Sequence, residues 1–207
     1  MIDMTDKSLI TEHDVRAVGT GDTLRINGRA LVTPLAVDLA RERHVRIERA
    51  ELSSAKGADK PKIALGADHG GFEMKESLKA LLSEMGFEYQ DFGTNSTAAV
   101  DYPDFAQAVA LAVARGACDL GIMIDGAGIG SCMVANKVPG VRAAMCYDEQ
   151  TARNSREHNG ANVLTLGGKL ISNDQMLRIV NAWLSSALTE ERHQRRVEKI
   201  DAMDRRN

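Results

Sequence analysis

From residue 63 onward two apolar patterns alternate along the chain. Short apolar runs recur at 63–67, 120–125, 141–146 and 163–166. Runs of that length, barely interrupted by polar residues, mark strands buried on both faces. Between them apolar residues fall at intervals of three and four, which predicts helices over 72–85, 102–114, 129–136 and 148–158. Two more helical patterns, 174–188 and 190–203, close the chain. Gly86 stops the first helix, and 87–92 reads as an edge strand. Five strands alternating with helices predict an α/β fold, a parallel sheet with helices on both faces.

The first fifty or so residues follow a different pattern. Thr11 and Asp14 have the spacing of an N-terminal cap for a short helix. Residues 24–28 read as a strand running into a turn at Gly28. Thr33-Pro34 opens a helix through about Arg43, with Pro at its first position. A short strand follows at 45–47. The stretch 53–61 is small, polar and broken by Gly57 and Pro61, as linkers are. The expected division is a small N-terminal α+β appendage at 1–52, a linker at 53–61 and a main domain at 62–207. So short an appendage is expected to lay Leu24, Ile26, Leu31, Val32, Leu35 and Leu39 against something larger than itself.

Composition narrows the partners. The chain has 207 residues and a formal net charge of −3, with 4% aromatics. A mildly acidic chain poor in aromatics argues against a nucleic-acid partner. No stretch is long enough to cross a bilayer, and Met1 to Asp6 has neither a basic nor an apolar leader pattern. Cys118, Cys132 and Cys146 are odd in number and lack metal-ligand spacing. A reduced, cytoplasmic chain is the reading these features suggest.

The densest chemistry lies at 122–130, where Ile122-Met123-Ile124 ends in Asp125 and then Gly126-Ala127-Gly128-Ile129-Gly130. A strand, a glycine loop and a helix start form an anion cradle, because backbone N–H groups converge at a helix N-terminus. A carboxylate at the strand end beside such a cradle suits proton transfer next to a developing oxyanion. Three more clusters fall at strand or helix ends: Asp68-His69-Gly70-Gly71, His158-Asn159-Gly160 and Arg192-His193-Gln194-Arg195-Arg196. Taken singly, His158 is as readily structural as functional, and His193 more so. Cys132 reads as a small buried helix residue.

Together these clusters resemble the ribose-5-phosphate isomerase B family, which includes the subunits of galactose-6-phosphate isomerase. The matching stretches are 66–72, Asp91-Phe92-Gly93-Thr94, Asp101-Tyr102-Pro103-Asp104, Gly126 to Gly130, 135–142, Arg156-Glu157-His158-Asn159 and 192–197, in the family's order and spacing. The resemblance implies a Rossmann-like, flavodoxin-type sheet and aldose–ketose isomerisation of a phosphorylated sugar, without metal or organic cofactor. It also implies a homodimer, or a dimer of dimers, with sites between subunits. By the same resemblance His158 helps open the furanose ring, and Asp68 and His69 contact sugar hydroxyls and phosphate. Arg192 and Arg196 hold the phosphate, reaching from one subunit into the other's site. Asn159 and the N–H groups of Gly126, Ala127, Gly128, Ile129 and Gly130 bind the sugar and the enediolate oxygen.

Three positions depart from the family. Its usual form carries a cysteine base at the position of Asp125 and a threonine at that of Ala127; another form carries a glutamate base at that of Ser131. Asp125 is therefore either a substitute base or the mark of a changed activity. The leading expectation is an isomerase acting on ribose 5-phosphate or a close relative; the alternative is a non-catalytic or partner-dependent sugar-phosphate-binding subunit. In the first domain, 9–16 and 32–36 resemble short segments of bacterial microcompartment-associated proteins. That resemblance implies assembly or targeting, with a microcompartment shell or cargo protein as partner and the microcompartment interior as location; a plain dimer-stabilising extension is the other reading.

Overall fold

The computed structural model of the chain describes residues 2–4, 9–26, 31–49 and 60–204. The turn at Asn27–Gly28 and residues 53–59 of the expected linker lie outside them. By its internal contacts the chain divides into two compact units, 1–59 and 60–207.

In the first unit β1 (Ile2–Met4), β3 (Thr23–Ile26) and β5 (Arg46–Arg49) form a parallel sheet in the order β1-β3-β5. A second pair is formed by β2 (Leu9–Ile10) and β4 (Leu31–Val32). Thr11 caps α1 (Glu12–Arg16) as expected: its backbone N–H and its hydroxyl both donate to the Asp14 carboxylate, at 2.9 and 3.0 Å. The Thr33 hydroxyl accepts from the Ala36 N–H at the start of α2 (Pro34–Glu42). Burial corrects one expectation. Ile10, Val15, Val18, Leu24, Ile26, Ala36, Ala40 and Val45 form a core within the unit itself. Leu24 and Ile26 are already fully buried there, and Leu35 stays exposed. Parallel β–α–β connections let even a short segment cover one face of its sheet with its own helices. The other face is charged: Asp3, Arg25 and Glu48 lie side by side in the register of β1, β3 and β5.

The second unit follows the predicted alternation: β6 (Ile63–Ala67), α3 (Phe72–Glu84), β7 (Tyr89–Asp91), α4 (Tyr102–Ala114), β8 (Leu120–Asp125), α5 (Ile129–Ala135), β9 (Ala143–Met145), α6 (Glu149–Glu157), β10 (Val163–Gly167), α7 (Asn173–Leu184) and α8 (Glu191–Asp201). All five strands are parallel, in the order β7-β6-β8-β10-β9. The doubly wound architecture is the expected one, with the last two strands exchanged relative to flavodoxin order. The exchange has a physical reason. β10 is buried throughout and needs neighbours on both edges, whereas every residue of the three-residue β9 is only half-buried.

Each central strand divides its apolar residues between two faces. Leu120, Ile122 and Ile124 join α3, α6 and α7 in one core, with Trp183 fully buried in it. Met123, Ala64 and Val163 meet α4 and α5 in the other. In α8 only His193 and Val197, four residues apart, turn inward. Among the described residues no helix is long and apolar enough to cross a membrane.

Candidate active site

β6 feeds α3 on one face of the sheet and β8 feeds α5 on the other, so the crossovers diverge between these two strands. Open α/β sheets bind ligands at such a switch point, beyond the carboxyl ends of the strands. Asp125 ends β8 and Asp68 directly follows β6, and both aspartates do the same local work. Asp68 Oδ1 accepts the N–H groups of Gly70 and Gly71, at 2.8 and 3.1 Å. Asp125 Oδ1 accepts those of Ala127, at 2.8 Å, and Gly128. Each carboxylate thus folds its own loop back over the strand end.

The loops are pressed together. A Cβ at Gly71 would stand 2.2 Å from the Ile124 carbonyl oxygen, so only glycine lets the first loop lie on β8. Gly128 has φ +80°, which glycine adopts without strain, and its carbonyl accepts the Thr165 hydroxyl from β10 at 2.8 Å. The Asp125 carbonyl accepts the Gly168 N–H at 2.7 Å.

Asp125 is 4% exposed and Ser131 is fully buried. The second oxygen of Asp125, Oδ2, accepts the Ser131 N–H at 3.0 Å and the Ser131 hydroxyl. The expected nest of N–H donors is therefore partly spent inside the loop: those of Ala127 and Gly128 serve Asp125. Those of Ile129 and Gly130 lie in the first turn of α5, where N–H groups have no intrahelical partner.

His69 and Gly70 border a cavity of about 500 Å³ with Glu73, Lys169 and Asn173. Val100 holds His69 in place, its N–H 3.3 Å from Nδ1. Lys169 was not singled out from the sequence. It follows Gly167-Gly168 at the end of β10, and its N–H donates to the Gly126 carbonyl at 3.1 Å. The signal was there: at or just past the ends of three adjacent strands stands a polar residue beside glycines, and Lys169 is the cation of the set.

His158, Asn159 and the terminal arginines lie elsewhere on the unit. His158 caps the C-terminus of α6 and borders a groove with Asn154, Arg153 and Glu157. Asn159 borders a neighbouring cavity with Met145 and Cys146. The Asn154 side-chain amide lies 3.0 Å from His158 Nδ1. With that amide as donor, the neutral ring carries its proton on Nε2. The His158 ring stacks on His193, with centroids 4.2 Å apart and planes 14° apart. Arg192 and Arg196 sit on the exposed side of α8, Arg192 bonded to Glu190. Within one chain, then, Asp68, His69 and the glycine loop gather at the switch point; His69 and Gly70 border the cavity there, and His158, Asn159, Arg192 and Arg196 do not line it. Cys132 is half-buried rather than buried, its thiol near the Ala143 carbonyl. Among the described residues no group of three or more His, Cys, Asp or Glu could hold a metal ion.

His193 is one of the two inward-facing residues of the basic terminal helix. It is buried, and neither ring nitrogen has a hydrogen-bond partner. Burial, with the charges of His158 and Arg192 nearby, holds its imidazole below the usual histidine range. The unfolded chain therefore binds this proton first, near the ordinary value of about 6.5, and stability falls as pH drops below that point. His193→Phe keeps the ring stack and removes the titration. Between pH 7.5 and 5.5 the variant is expected to lose less Tm than the wild type; equal losses would contradict this account.

A doubly wound parallel sheet with paired acids, an imidazole and a lysine at its switch point defines a polar small-molecule site of α/β enzyme type. The particular family follows from comparison with known proteins. Residues 63–200 match the family model described as Ribose/Galactose Isomerase, and the chain belongs to that family. It is 46% identical over 145 residues to ribose-5-phosphate isomerase B of Escherichia coli, covering 70% of this chain and 97% of that protein. It is 40% identical over 147 residues to a putative sugar phosphate isomerase of Bacillus subtilis, covering 70% and 99%. The structure of Clostridium thermocellum ribose-5-phosphate isomerase B superposes with a TM-score of 0.69 at 47% identity, over 70% of this chain and 98% of that one. That of the Mycoplasma genitalium enzyme with bound ribulose 5-phosphate gives 0.68 at 39%, over 70% and 97%. The family match lies wholly within the second unit.

Proposed function

We propose that the chain is an aldose–ketose isomerase that interconverts ribose 5-phosphate and ribulose 5-phosphate through an enediolate. The observation that carries this reading is the buried Asp125 carboxylate at the switch point, packed against the Asp68-His69 loop, whose His69 borders a cavity with Lys169. In this mechanism His158 gives its Nε2 proton to the ring oxygen as the furanose opens. Asp125 takes the C2 proton and returns it to C1. Asp68 and His69 hold sugar hydroxyls. The N–H groups of Gly126, Ile129 and Gly130 face the oxygen on which charge develops, where aligned donors stabilise an enediolate. Lys169, Arg192 and Arg196 bind the phosphate; guanidinium forks suit its geometry. Each step is a proton transfer between placed groups, so no metal or organic cofactor is invoked.

His158, Asn159, Arg192 and Arg196 do not line the cavity at the switch point of their own chain. This supports a homodimer, or a dimer of dimers, in which they serve a second copy's site. The exposed Ile129 and Met133 on α5 are apolar surface that such a copy would cover. The intact acid, imidazole and arginine sets favour the enzyme over a purely binding subunit. A coupled assay over phosphorylated tetroses, pentoses and hexoses tests the reading. Turnover of the pentose phosphate is expected, and no turnover of any by the purified protein refutes it.

The first unit is an accessory module, within the division 1–52, linker 53–61 and main domain 62–207. It serves assembly or targeting in the cytoplasm, with a microcompartment shell or cargo protein as partner. What supports this is a core complete within the unit and the absence of proposed site residues from it. A protein beginning at Lys60 should keep its fold and its kcat/KM. Loss of catalysis in a folded, dimeric truncation would place residues of the first unit at the active site instead.

A further inference from the structure

A carboxylate has about four acceptor positions, two on each oxygen. For Asp125 all four are taken: by the N–H groups of Ala127, Gly128 and Ser131, and by the Ser131 hydroxyl. Three of these donors are backbone. They are fixed by the turn at Gly128, by the Thr165 hydroxyl on the Gly128 carbonyl and by the Gly168 N–H on the Asp125 carbonyl. The fourth turns about a single bond. Asp125 is 4% exposed and Ser131 not at all, so little solvent reaches these bonds. An Asp125 carboxylate that is to accept a proton must first be released by one donor, and only the Ser131 hydroxyl can leave without unfolding the loop.

We propose that Ser131 is the positioning residue that lets Asp125 take up and return a proton. Its hydroxyl donates to the carboxylate in the resting state and turns to accept from the carboxylic acid in the intermediate. The proposal rests on the isomerase reading. When the C2–H bond breaks, its electron pair forms the C1–C2 double bond and the former carbonyl oxygen O1 becomes the oxyanion. The proton goes to Asp125 Oδ2, and the turned Ser131 Oγ accepts the new O–H. The O2 hydroxyl proton then passes to O1. The proton on Asp125 goes to C1, leaving a carbonyl at C2, and Ser131 turns back to donate. C1 is reduced and C2 oxidised by the same electron pair, so no outside reagent is needed. A hydroxyl can play both parts because it is donor and acceptor at once.

The test uses full-length protein with D-ribose 5-phosphate, unlabelled and deuterated at C2. In Ser131→Ala the buried acid of the intermediate has no acceptor, an unmet hydrogen bond of the kind that raises a barrier. The expected result is a kcat about tenfold lower, equivalent to ~1.4 kcal/mol, with KM within about twofold. The deuterium effect on kcat should increase, because proton transfer has become the slow step. Ser131→Thr, which keeps the hydroxyl, should move both quantities back towards the wild type. A purely structural role would lower Tm and leave the isotope effect alone. An isotope effect unchanged in Ser131→Ala overturns the proposal whatever happens to kcat. Failure of the wild type itself to convert ribose 5-phosphate overturns the isomerase reading, and this proposal with it.

Discussion

Asp125→Asn is expected to lower kcat by about 10²–10⁴-fold, the range that a positioned general base contributes, while KM changes little. The lost interaction belongs to the transition state, so it appears in kcat rather than in substrate binding. The substitution also strains the loop. An Asn oxygen can still accept from Ala127 and Gly128, but the amide nitrogen would face the Ser131 N–H, donor against donor. That conflict costs roughly 1–3 kcal/mol, so Tm falls as well. Kinetics measured well below the new Tm separate the two effects. A variant that keeps most of its activity would show Asp125 to be a loop clamp and not a base.

The second large effect is on stability, from Gly71→Ala. The added methyl would meet the Ile124 carbonyl at 2.2 Å from its oxygen and 2.6 Å from its carbon, and backbone in a central strand cannot step aside. Overpacking of this kind costs about 3 kcal/mol or more. For a unit of this size that means a Tm roughly 6–12 °C lower. The loop carrying Asp68 and His69 moves with it, so kcat/KM should fall even where the protein remains folded. Thermal melts and kinetics on the variant check both. A wild-type Tm would mean that the loop does not rest on β8 as described.

Most of the second unit was legible because its strands are long apolar runs and its helices have clear periodicity. The predicted helix over 174–188 ends at Leu184: Ser185 caps it, and the next N–H, of Ser186, takes the Trp183 carbonyl three residues back instead of one four back. The order of the last two strands was not legible: run length marks a strand as buried, but pairing is decided by what lies on each side of it. In the first unit β1, β2 and β4 have two or three residues each, too few to show a period. Without them the unit's own core could not be foreseen.

At the site the strand-end acids stood out as types, but their partners did not. Ser131 meets Asp125 across six residues of loop and helix start, a pairing that no repeat spacing encodes. The stack of His193 on His158 joins two helices far apart in sequence. It depends on α8 turning His193 and Val197 inward and its arginines outward. Whether a guanidinium reaches a neighbouring copy is likewise a matter of surface, which sequence pattern does not carry.

The most direct test of the central claim is proton NMR of D-ribose 5-phosphate incubated with the purified full-length protein in deuterated buffer. The account predicts that ribulose 5-phosphate signals grow to an equilibrium mixture, and that Asp125→Asn slows their growth by orders of magnitude. A spectrum that stays that of ribose 5-phosphate, with neither conversion nor loss of the C2 proton signal over hours at micromolar enzyme, would contradict it.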